Sequence, residues 1–432
     1  MIYTKIIKYN FLFAKNILFP ICRSITGNGI KKTLLLVKKR INGFKIHRIR
    51  SRTRVFDWKV PPEWNIKSAY IKDKYNKKIV DFNNNNLHVV GYSQPIKKKL
   101  NKKEILDKIH TMPKLPDAIP YVTSYYKKYW GFCTSAIEKK KIIKRYNKSD
   151  IFDVCIDSNF NKNGNLNFGE IVLKGKSKEE ILISTYICHP SMANNELSGP
   201  IVSLSLIDYY KKVKLSKTIR FVFVPETIGS IAYLYQNLEY LKKNVIGGYN
   251  LSCIGDERSH SCIFSKYNNS PSDDALREAY KKLKIKYKVF SFLDRGSDER
   301  QYNSPGIDLG ITSIFRTKYG EYPEYHTSND NFSIVTLKGI KGGFKVTKTA
   351  IDILLNNHYP KTKIFCEPHM SKRNLYPTLS NNNVNKKIQK IMDFIQYCDG
   401  SNSIKKISQI IKLSFYNTKK IAHLLKNKNI II

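Results

Sequence analysis

The sequence predicts an α/β fold in which a mixed, mostly parallel sheet is flanked by helices. From about residue 170, short apolar runs rich in β-branched residues alternate with helical patterns, which is typical of a largely parallel sheet. The run at residues 181–188 has the composition of a buried strand, and a helical pattern begins near Leu197. Polar residues recur directly after such strands, where open α/β sheets bind ligands.

Composition sets the broad class of the protein. The 432 residues are enough for about two or three domains. The net charge of +42 alone would suggest a polyanionic partner, but the lysines are spread along the whole chain, so we expect a solvated surface and no nucleic acid. The eight cysteines include no CxxC pair, which favours reduced thiols in a cytoplasmic protein. No run approaches the ~18 apolar residues of a membrane span.

Changes in texture divide the chain into four parts. Residues 1–55 form N-terminal helices that belong with the α/β domain of residues 171–365. Residues 56–170 are rich in proline, turns and short strand patterns, and are predicted to be an inserted strand-rich domain. Residues 383–432 carry three short helices and a terminal strand, a pattern that indicates a winged helix. Winged helices bind DNA through a recognition helix or act as protein contacts, and we favour the contact role here.

One group of residues carries the chemistry of the α/β domain. A zinc site needs histidine and carboxylate ligands on rigid elements, with one position left for water. A further carboxylate can act as general base towards that water. Each residue alone also has a structural explanation, such as an ion pair between Asp298 and Arg300. The residues at or just beyond predicted strand ends are His189, Glu226, Asp256, Asp298 and His326.

The order of these residues resembles the zinc aminopeptidases, a group that also includes the glutaminyl cyclases. A closer resemblance, over nearly the full length, is to bacterial polysaccharide-biosynthesis proteins with an aminopeptidase-like domain. That resemblance implies an aminopeptidase-like α/β domain, an inserted strand-rich domain and a C-terminal winged helix. The residues that match the zinc aminopeptidases are His189, residues 195–199, Pro225-Glu226 with Gly229-Ser230, Asp256, Ser297-Asp298, and residues 325–327 with Asp330. The stretches shared with the polysaccharide-biosynthesis proteins are residues 58–64, 121–132, 187–199, 225–233, 293–302 and 318–327.

The resemblance also implies roles for individual residues. His189 and Asp256 would hold a first metal, and His326 would occupy the second metal position. Glu226 matches one of two adjacent carboxylates, a base and a ligand, and takes either role because Pro225 replaces the other member. Asn195 stands where the peptidases have a metal-bridging aspartate, and Ser191 where a second acid is usual. The neighbouring Glu196 is a candidate substitute ligand, and one zinc ion is expected rather than two.

The first functional hypothesis is a zinc-dependent, aminopeptidase-like hydrolase acting on an amide with a nearby free amine, in surface-polysaccharide biosynthesis. The substrate would be a small peptide or an amino sugar. The alternative is a non-catalytic binding or scaffold protein in polysaccharide assembly, whose winged helix docks a protein partner. A DNA-binding regulator is disfavoured because the third tail helix carries mainly Lys419 and Lys420. The residues expected at the substrate end are Asn195, Arg295, Asp298, Arg300 and Tyr325.

Overall fold

The computed structural model describes residues 2–376 and 382–432. The helices are α1 (Ile2–Phe13), α2 (Asn28–Arg40), α3 (Lys102–Leu106), α4 (Ala136–Arg145), α5 (Ser198–Tyr210), α6 (Ile228–Asn244), α7 (Pro271–Leu283), α8 (Glu299–Tyr302), α9 (Leu337–Asn356), α10 (Asn382–Gln396), α11 (Ile404–Ile410) and α12 (Phe415–Asn427). The strands are β1 (Lys45–Arg50), β2 (Arg54–Val55), β3 (Trp58–Lys59), β4 (Glu63–Lys72), β5 (Lys78–Asp81), β6 (Ile96–Asn101), β7 (Ile109–His110), β8 (Phe132–Cys133), β9 (Ile151–Asn161), β10 (Asn165–Leu173), β11 (Ser177–Tyr186), β12 (Lys217–Val224), β13 (Val245–Leu251), β14 (Ser261–Ile263), β15 (Lys288–Phe290) and β16 (Ile311–Phe315).

An eight-stranded sheet forms the centre of the protein, in the order β1-β10-β12-β11-β13-β16-β14-β15. Strands β12, β11, β13 and β16 are parallel neighbours. Strands β1 and β10 are antiparallel at one side, and β14 is antiparallel to β16. The sheet is therefore mixed with a parallel centre, which confirms the predicted fold class. Because parallel strands end at the same edge, the loops after β11, β12, β13 and β16 converge there.

Helices cover both faces of this sheet. Ile181 and Ile183 of β11 belong to the core shared with α1, α5, α7 and α9. Leu182, which points to the opposite face, belongs to the core that includes Ile231 of α6. Burial on both faces explains why the central strands are continuous apolar runs in the sequence.

The inserted region has a sheet and a core of its own. Strands β5, β4, β9 and β6 form an antiparallel sheet in that order, packed around residues such as Ile71 and Phe152. Strand β10 follows β9 but pairs in the central sheet, so residues 165–170, assigned above to the insertion, lie in that sheet. The loop at residues 111–131 reaches the carboxyl edge, where the Tyr121 backbone N–H donates to the His326 carbonyl at 2.8 Å.

The C-terminal part packs its three helices around Phe394, Ile407 and Leu425. Two ion pairs join α11 to α7. Lys405 Nζ lies 2.7 Å from Glu278 Oε1, and Lys406 Nζ lies 2.8 Å from Asp274 Oδ2. The terminal strand expected at residues 427–432 is reduced to one bridge between Ile431 and Thr362.

Two further features concern the whole described chain. All eight cysteines are free thiols, and five of them are buried. Within residues 2–376 and 382–432, no helix combines the length and the apolar character that a membrane crossing requires.

Candidate functional site

The candidate site lies at the carboxyl edge of the central sheet. His189 is three residues beyond the end of β11, Glu226 two beyond β12, and Asp256 five beyond β13. His326 lies in the loop after β16. A single π-helical turn, Ala193–Leu197, carries Asn194, Asn195 and Glu196 directly before α5. Such turns occur frequently at functional sites.

His189 is buried and fully oriented by its neighbours. Its Nδ1 lies 2.9 Å from Glu196 Oε2, and its Nε2 lies 3.6 Å from Glu226 Oε2. Burial lowers the pKa of His189, but the hydrogen bond and charge of Glu196 and the charge of Glu226 outweigh it, so the net shift is upward. A carboxylate on one ring nitrogen fixes the ring and leaves the other nitrogen for chemistry, as in the carboxylate–histidine pairs of metal sites. Glu196 therefore orients His189.

Arg23 completes this arrangement from the N-terminal region. Its guanidinium is fully buried, with Nε 3.3 Å from Glu196 Oε1 and 3.0 Å from the His189 carbonyl oxygen. Its Nη1 donates to the Leu18 carbonyl at 2.6 Å. Glu196, predicted as a ligand, thus has one oxygen beside Arg23 and the other on His189. Its charge is therefore compensated by Arg23, although Oε1 makes no hydrogen bond among the described residues.

Glu226 and Asp298 form the acidic part of the site. Glu226 Oε1 accepts from Ser297 Oγ at 2.6 Å, and Asp298 Oδ1 accepts from the Thr227 backbone N–H at 2.7 Å and Ser230 Oγ at 2.8 Å. Asp298 Oδ2 is buried without a hydrogen-bond partner among the described residues. Burial raises the pKa of Glu226, and burial together with the charge of Glu226 raises the pKa of Asp298 to about 7.

Asp256 is held by hydrogen bonds on both carboxylate oxygens. Oδ1 accepts from Thr317 Oγ1 at 2.6 Å and from the Arg258 backbone N–H at 2.9 Å. Oδ2 accepts from the Thr317 backbone N–H at 3.0 Å and from Asn194 Nδ2 at 3.1 Å. A carboxylate offers about four lone-pair sites, and all four are engaged here. In this arrangement Asp256, a predicted metal ligand, has no free lone pair for a metal ion.

In contrast to Asp256, Asn195 and His326 each have a buried polar atom without a hydrogen bond among the described residues. Asn195 Nδ2 donates to Tyr186 Oη at 2.9 Å, while its Oδ1 is buried and unpaired in the described chain. His326 stacks on Tyr325 with ring centroids 3.9 Å apart and lies 5.3 Å from the ring of His189. Its Nε2 is also buried without a partner among the described residues. Burial lowers the pKa of His326 to about 3, so the ring is neutral at pH 7, the form that binds metals.

The two predicted arginines differ in position. Arg300 Nη2 donates to Thr227 Oγ1 at 2.7 Å, which places it beside the acidic part of the site. Arg295 is exposed, and its guanidinium contacts Phe292, with 5.2 Å to the ring centroid. Among the described residues, no hydrogen bond or ion pair joins Arg295 to the buried residues of the site.

A zinc ion requires ligand atoms of suitable type at a defined spacing. Zinc–nitrogen bonds are about 2.0–2.1 Å, so the ligand atoms of one tetrahedral ion lie about 3.3 Å apart. Among the described residues, Cys188, His189 and Glu196 are the only group of three donors within 4.8 Å of one another. In this trio Glu196 is already paired with Arg23 and hydrogen-bonded to His189 Nδ1, so the trio suits zinc poorly.

A second set of donors fits zinc better by its chemistry. His189 Nε2 and the unpaired His326 Nε2 are donors of the right type, and the Glu226 carboxylate in the same region is available as either a third ligand or a base. They fit one ion after at least one side chain moves, because they do not yet converge. With Asn195 in place of an acid and Asp256 engaged, the residues present do not provide for a second ion.

Four residues in the loops of the site have a left-handed backbone conformation. Ser191, Thr227, Cys253 and His326 adopt positive φ angles of 44°, 63°, 47° and 55°. Non-glycine residues in this region cost about 1–3 kcal/mol each and persist where the surroundings hold them. Asp330 supplies part of that hold, because its carboxylate accepts the backbone N–H groups of Ala193 and Asn195 at 3.2 and 2.9 Å.

Two residues of the site, Arg23 and Tyr121, could hardly be recognised from the sequence. Arg23 lies 166 residues before His189 and is one of 76 lysines and arginines. Its only local hint was the adjacent polar segment at residues 24–29. Tyr121 comes from the inserted region and packs against both His189 and His326, each at 5.1 Å between ring centroids.

The sequence matches two known protein families. A family described as a domain of unknown function, DUF4910, matches residues 12–357. The chain belongs to this family. A second family model, described as winged helix-turn-helix, matches residues 357–432, which confirms the predicted winged helix.

One relative and two solved structures extend this result. A Clostridium acetobutylicum protein, named as a candidate polysaccharide biosynthesis protein with an aminopeptidase-like domain, is 40% identical over 360 residues, covering 83% of this chain and 81% of that protein. The crystal structure of a candidate peptidase from the same organism has a TM-score of 0.79 and 35% identity, covering 100% of this chain and 97% of the other. The zinc aminopeptidase BSAP from Bacillus subtilis has a TM-score of 0.57 at 15% identity, covering 81% and 94%, and is similar in fold alone.

Proposed function

We propose that this chain is a metal-dependent amide hydrolase of aminopeptidase type that uses one zinc ion. The main support for this proposal is the pair of imidazoles, His189 and His326, at the carboxyl edge of the central sheet. The His189 ring is fixed through Nδ1 by Glu196, and its Nε2 is left towards Glu226. The neighbouring His326 is neutral, and its Nε2 is buried without a partner among the described residues. His189 and His326 would hold the ion.

The bound ion would acidify a water molecule and polarise the amide carbonyl. Glu226 acts as the base, because Ser297 holds Oε1 and leaves Oε2 directed at the same region as His189 Nε2. Its raised pKa increases its proton affinity, which suits a residue that accepts a proton during the reaction. The Glu226 side chain is 22% exposed, so it is reachable from the solvent side.

The same region suggests the chemistry of the substrate. Asp298 Oδ2 is buried and unpaired within the described residues, and its carboxylate lies near Glu226. A protonated amine placed there would satisfy this oxygen and compensate the acidic charge. The proposed substrate is therefore an amide with a nearby free amine, on a peptide or an amino sugar. The name of the Clostridium acetobutylicum relative supports a role in polysaccharide biosynthesis.

A specific observation favours a second candidate, a non-catalytic binding or scaffold protein. Asn195 replaces an acid, and Asp256 is engaged by Thr317, Asn194 and the Arg258 backbone. A fold that has lost metal ligands would retain a polar pocket for binding, while the winged helix contacts a protein partner.

Metal content separates the two candidates. Tag-free wild-type protein is reconstituted with zinc, desalted and measured by elemental mass spectrometry beside His189→Ala, His326→Ala and the control His369→Ala, whose histidine is exposed in the C-terminal region. We expect about one zinc per chain in wild type and control, and loss in both site variants. Aminoacyl and amino-sugar amides would then be screened for hydrolysis. A wild-type protein that stays empty would overturn the hydrolase and leave the scaffold.

A further inference from the structure

A cleft of about 970 Å³ lies at the opposite edge of the central sheet from the candidate site. One wall is formed where strands β11, β12 and β13 begin, together with the loops at residues 265–271 and 307–310. The other wall is the winged helix with its connecting segment, at residues 358–361, 399–404 and 419–432. None of the proposed catalytic residues lines this cleft.

Positive charge dominates the walls. Eight lysines line the cleft against three carboxylates, Glu179, Asp308 and Asp399. Two of these acids are already paired, Glu179 with Lys217 at 2.8 Å and Asp308 with Lys266 at 2.5 Å. Five lysines make neither an ion pair nor a side-chain hydrogen bond with the described residues: Lys178, Lys243, Lys361, Lys419 and Lys426.

The orientation of α12 brings the winged helix into this cleft. Lys419, Ala422, His423 and Lys426 have the spacing of one helical face, and all four line the cleft. In DNA-binding helix-turn-helix proteins a recognition helix lies in the major groove. Here the basic face of α12 lines the cleft opposite the sheet. A DNA duplex therefore cannot lie against this face in this arrangement.

The pKa of His358 reflects the positive electrostatic potential between the two walls of the cleft. Burial lowers the pKa of His358, and the charges of Lys217, Lys426 and Lys419 lower it further. Lys217 belongs to the sheet wall, and Lys419 and Lys426 belong to the winged-helix wall. Charge from both walls therefore acts on one point, as expected for a concave surface that focuses its field.

We propose that this cleft binds a phosphate-bearing small molecule of nucleotide size. Its volume lies within the about 300–1,000 Å³ typical of ligand pockets. Lysine ammonium groups bind phosphate as point charges, and the unpaired lysines lie on opposite walls. Tyr267 is 71% exposed at the rim. Lys266 Nζ lies over one face of its ring, 4.6 Å from the centroid, so the other face is available for a base.

The whole chain is rich in lysine, so the test needs a control with matched charge. Lys419→Glu/Lys426→Glu reverses two charges inside the cleft. Lys420→Glu/Lys428→Glu reverses two charges at exposed positions in and just after the same helix, outside the cleft. All four side chains are exposed, so both variants are expected to fold, which thermal melting followed by circular dichroism verifies.

The experiment is calorimetric titration of the full chain with ADP at low and physiological salt. We expect saturable binding that the cleft variant weakens at least about tenfold, or about 1.4 kcal/mol, while the control changes less than about twofold. Inorganic pyrophosphate should compete with ADP, because phosphate is the recognised group. His189→Ala should bind ADP like wild type, which separates this proposal from the metal site.

Four results would overturn the proposal. These are no saturable ADP binding, equal loss in cleft variant and control, no competition by pyrophosphate, and preferential binding of a 20-base-pair duplex that displaces ADP and is lost only in the cleft variant. The last result would assign the lysines to nucleic acid instead.

Discussion

The candidate site has two halves that differ in how their polar atoms are satisfied. The paired half consists of Arg23, Glu196 and His189, whose charged groups face one another: Arg23 lies 3.3 Å from Glu196, and Glu196 lies 2.9 Å from His189. Two of its atoms, Arg23 Nη2 and Glu196 Oε1, still make no hydrogen bond among the described residues. The open half consists of Asn195, Asp298 and His326, each with a buried polar atom that has no partner among the described residues. Buried polar groups are normally hydrogen-bonded, so unpaired atoms that also lack an ion-pair partner among the described residues, as in the open half, mark where a ligand or ion is expected. The paired half thus orients His189, and the open half supplies the unpaired atoms at which we propose that ion and substrate bind.

The largest expected effect comes from breaking the paired half. Arg23→Met leaves the buried carboxylate of Glu196 without its guanidinium, and removing one member of a buried pair costs about 3–5 kcal/mol. Urea unfolding followed by circular dichroism measures the change. The control Arg295→Met removes an exposed guanidinium and should stay within about 0.5 kcal/mol of wild type.

A double variant shows whether the pair itself is responsible. Arg23→Met/Glu196→Gln removes the stranded charge, so it should be more stable than the sum of the two single changes. Purely additive losses, or an Arg23→Met loss no larger than that of Arg295→Met, would show that the paired half does not depend on this ion pair.

A smaller effect is expected from the open half, and it depends on pH. The pKa of Asp298 is raised from 3.8 to about 7 by burial and by Glu226. Below 3.8 the group is protonated in both states. As pH rises towards 7, the unfolded chain releases the proton first, so the stability contributed by protonated Asp298 is lost between these values.

Asp298→Asn stays neutral and escapes this loss. In the presence of a chelator, its stability relative to wild type should rise by about 2 kcal/mol between pH 5 and pH 8. Unfolding curves at several pH values provide the measurement, with the exposed carboxylate variant Asp57→Asn as reference. A relative stability of Asp298→Asn that is flat with pH would mean that Asp298 titrates normally.

The difference between the halves also explains what the sequence predicted. Alternating strands and helices placed His189, Glu226, Asp256 and His326 at one sheet edge, because parallel strands must end together. Hydrogen bonding could not be predicted in the same way. Thr317 engages Asp256 from 61 residues away, and Arg23 engages Glu196 across 173 residues; both contacts depend on tertiary packing. Local sequence patterns therefore could not predict the hydrogen bonds and ion pairs of Glu196 and Asp256.

The smallest expected effect is a gain at the open half. Asn195→Asp would place a carboxylate where the Asn195 Oδ1 atom is now buried and unpaired, close to the proposed ion. A carboxylate is a stronger zinc ligand than an amide oxygen, so we expect at least about tenfold tighter zinc binding, or about 1.4 kcal/mol. Competition with a fluorescent chelator measures it, and Asn167→Asp is the matched control, because Asn167 is a buried asparagine of β10 whose Nδ2 donates to the Asn165 carbonyl oxygen, outside the site. Equal affinity in Asn195→Asp and wild type would place the ion away from residue 195. A gain confined to Asn195→Asp would show that this one amide limits metal binding in a fold that otherwise retains its donors.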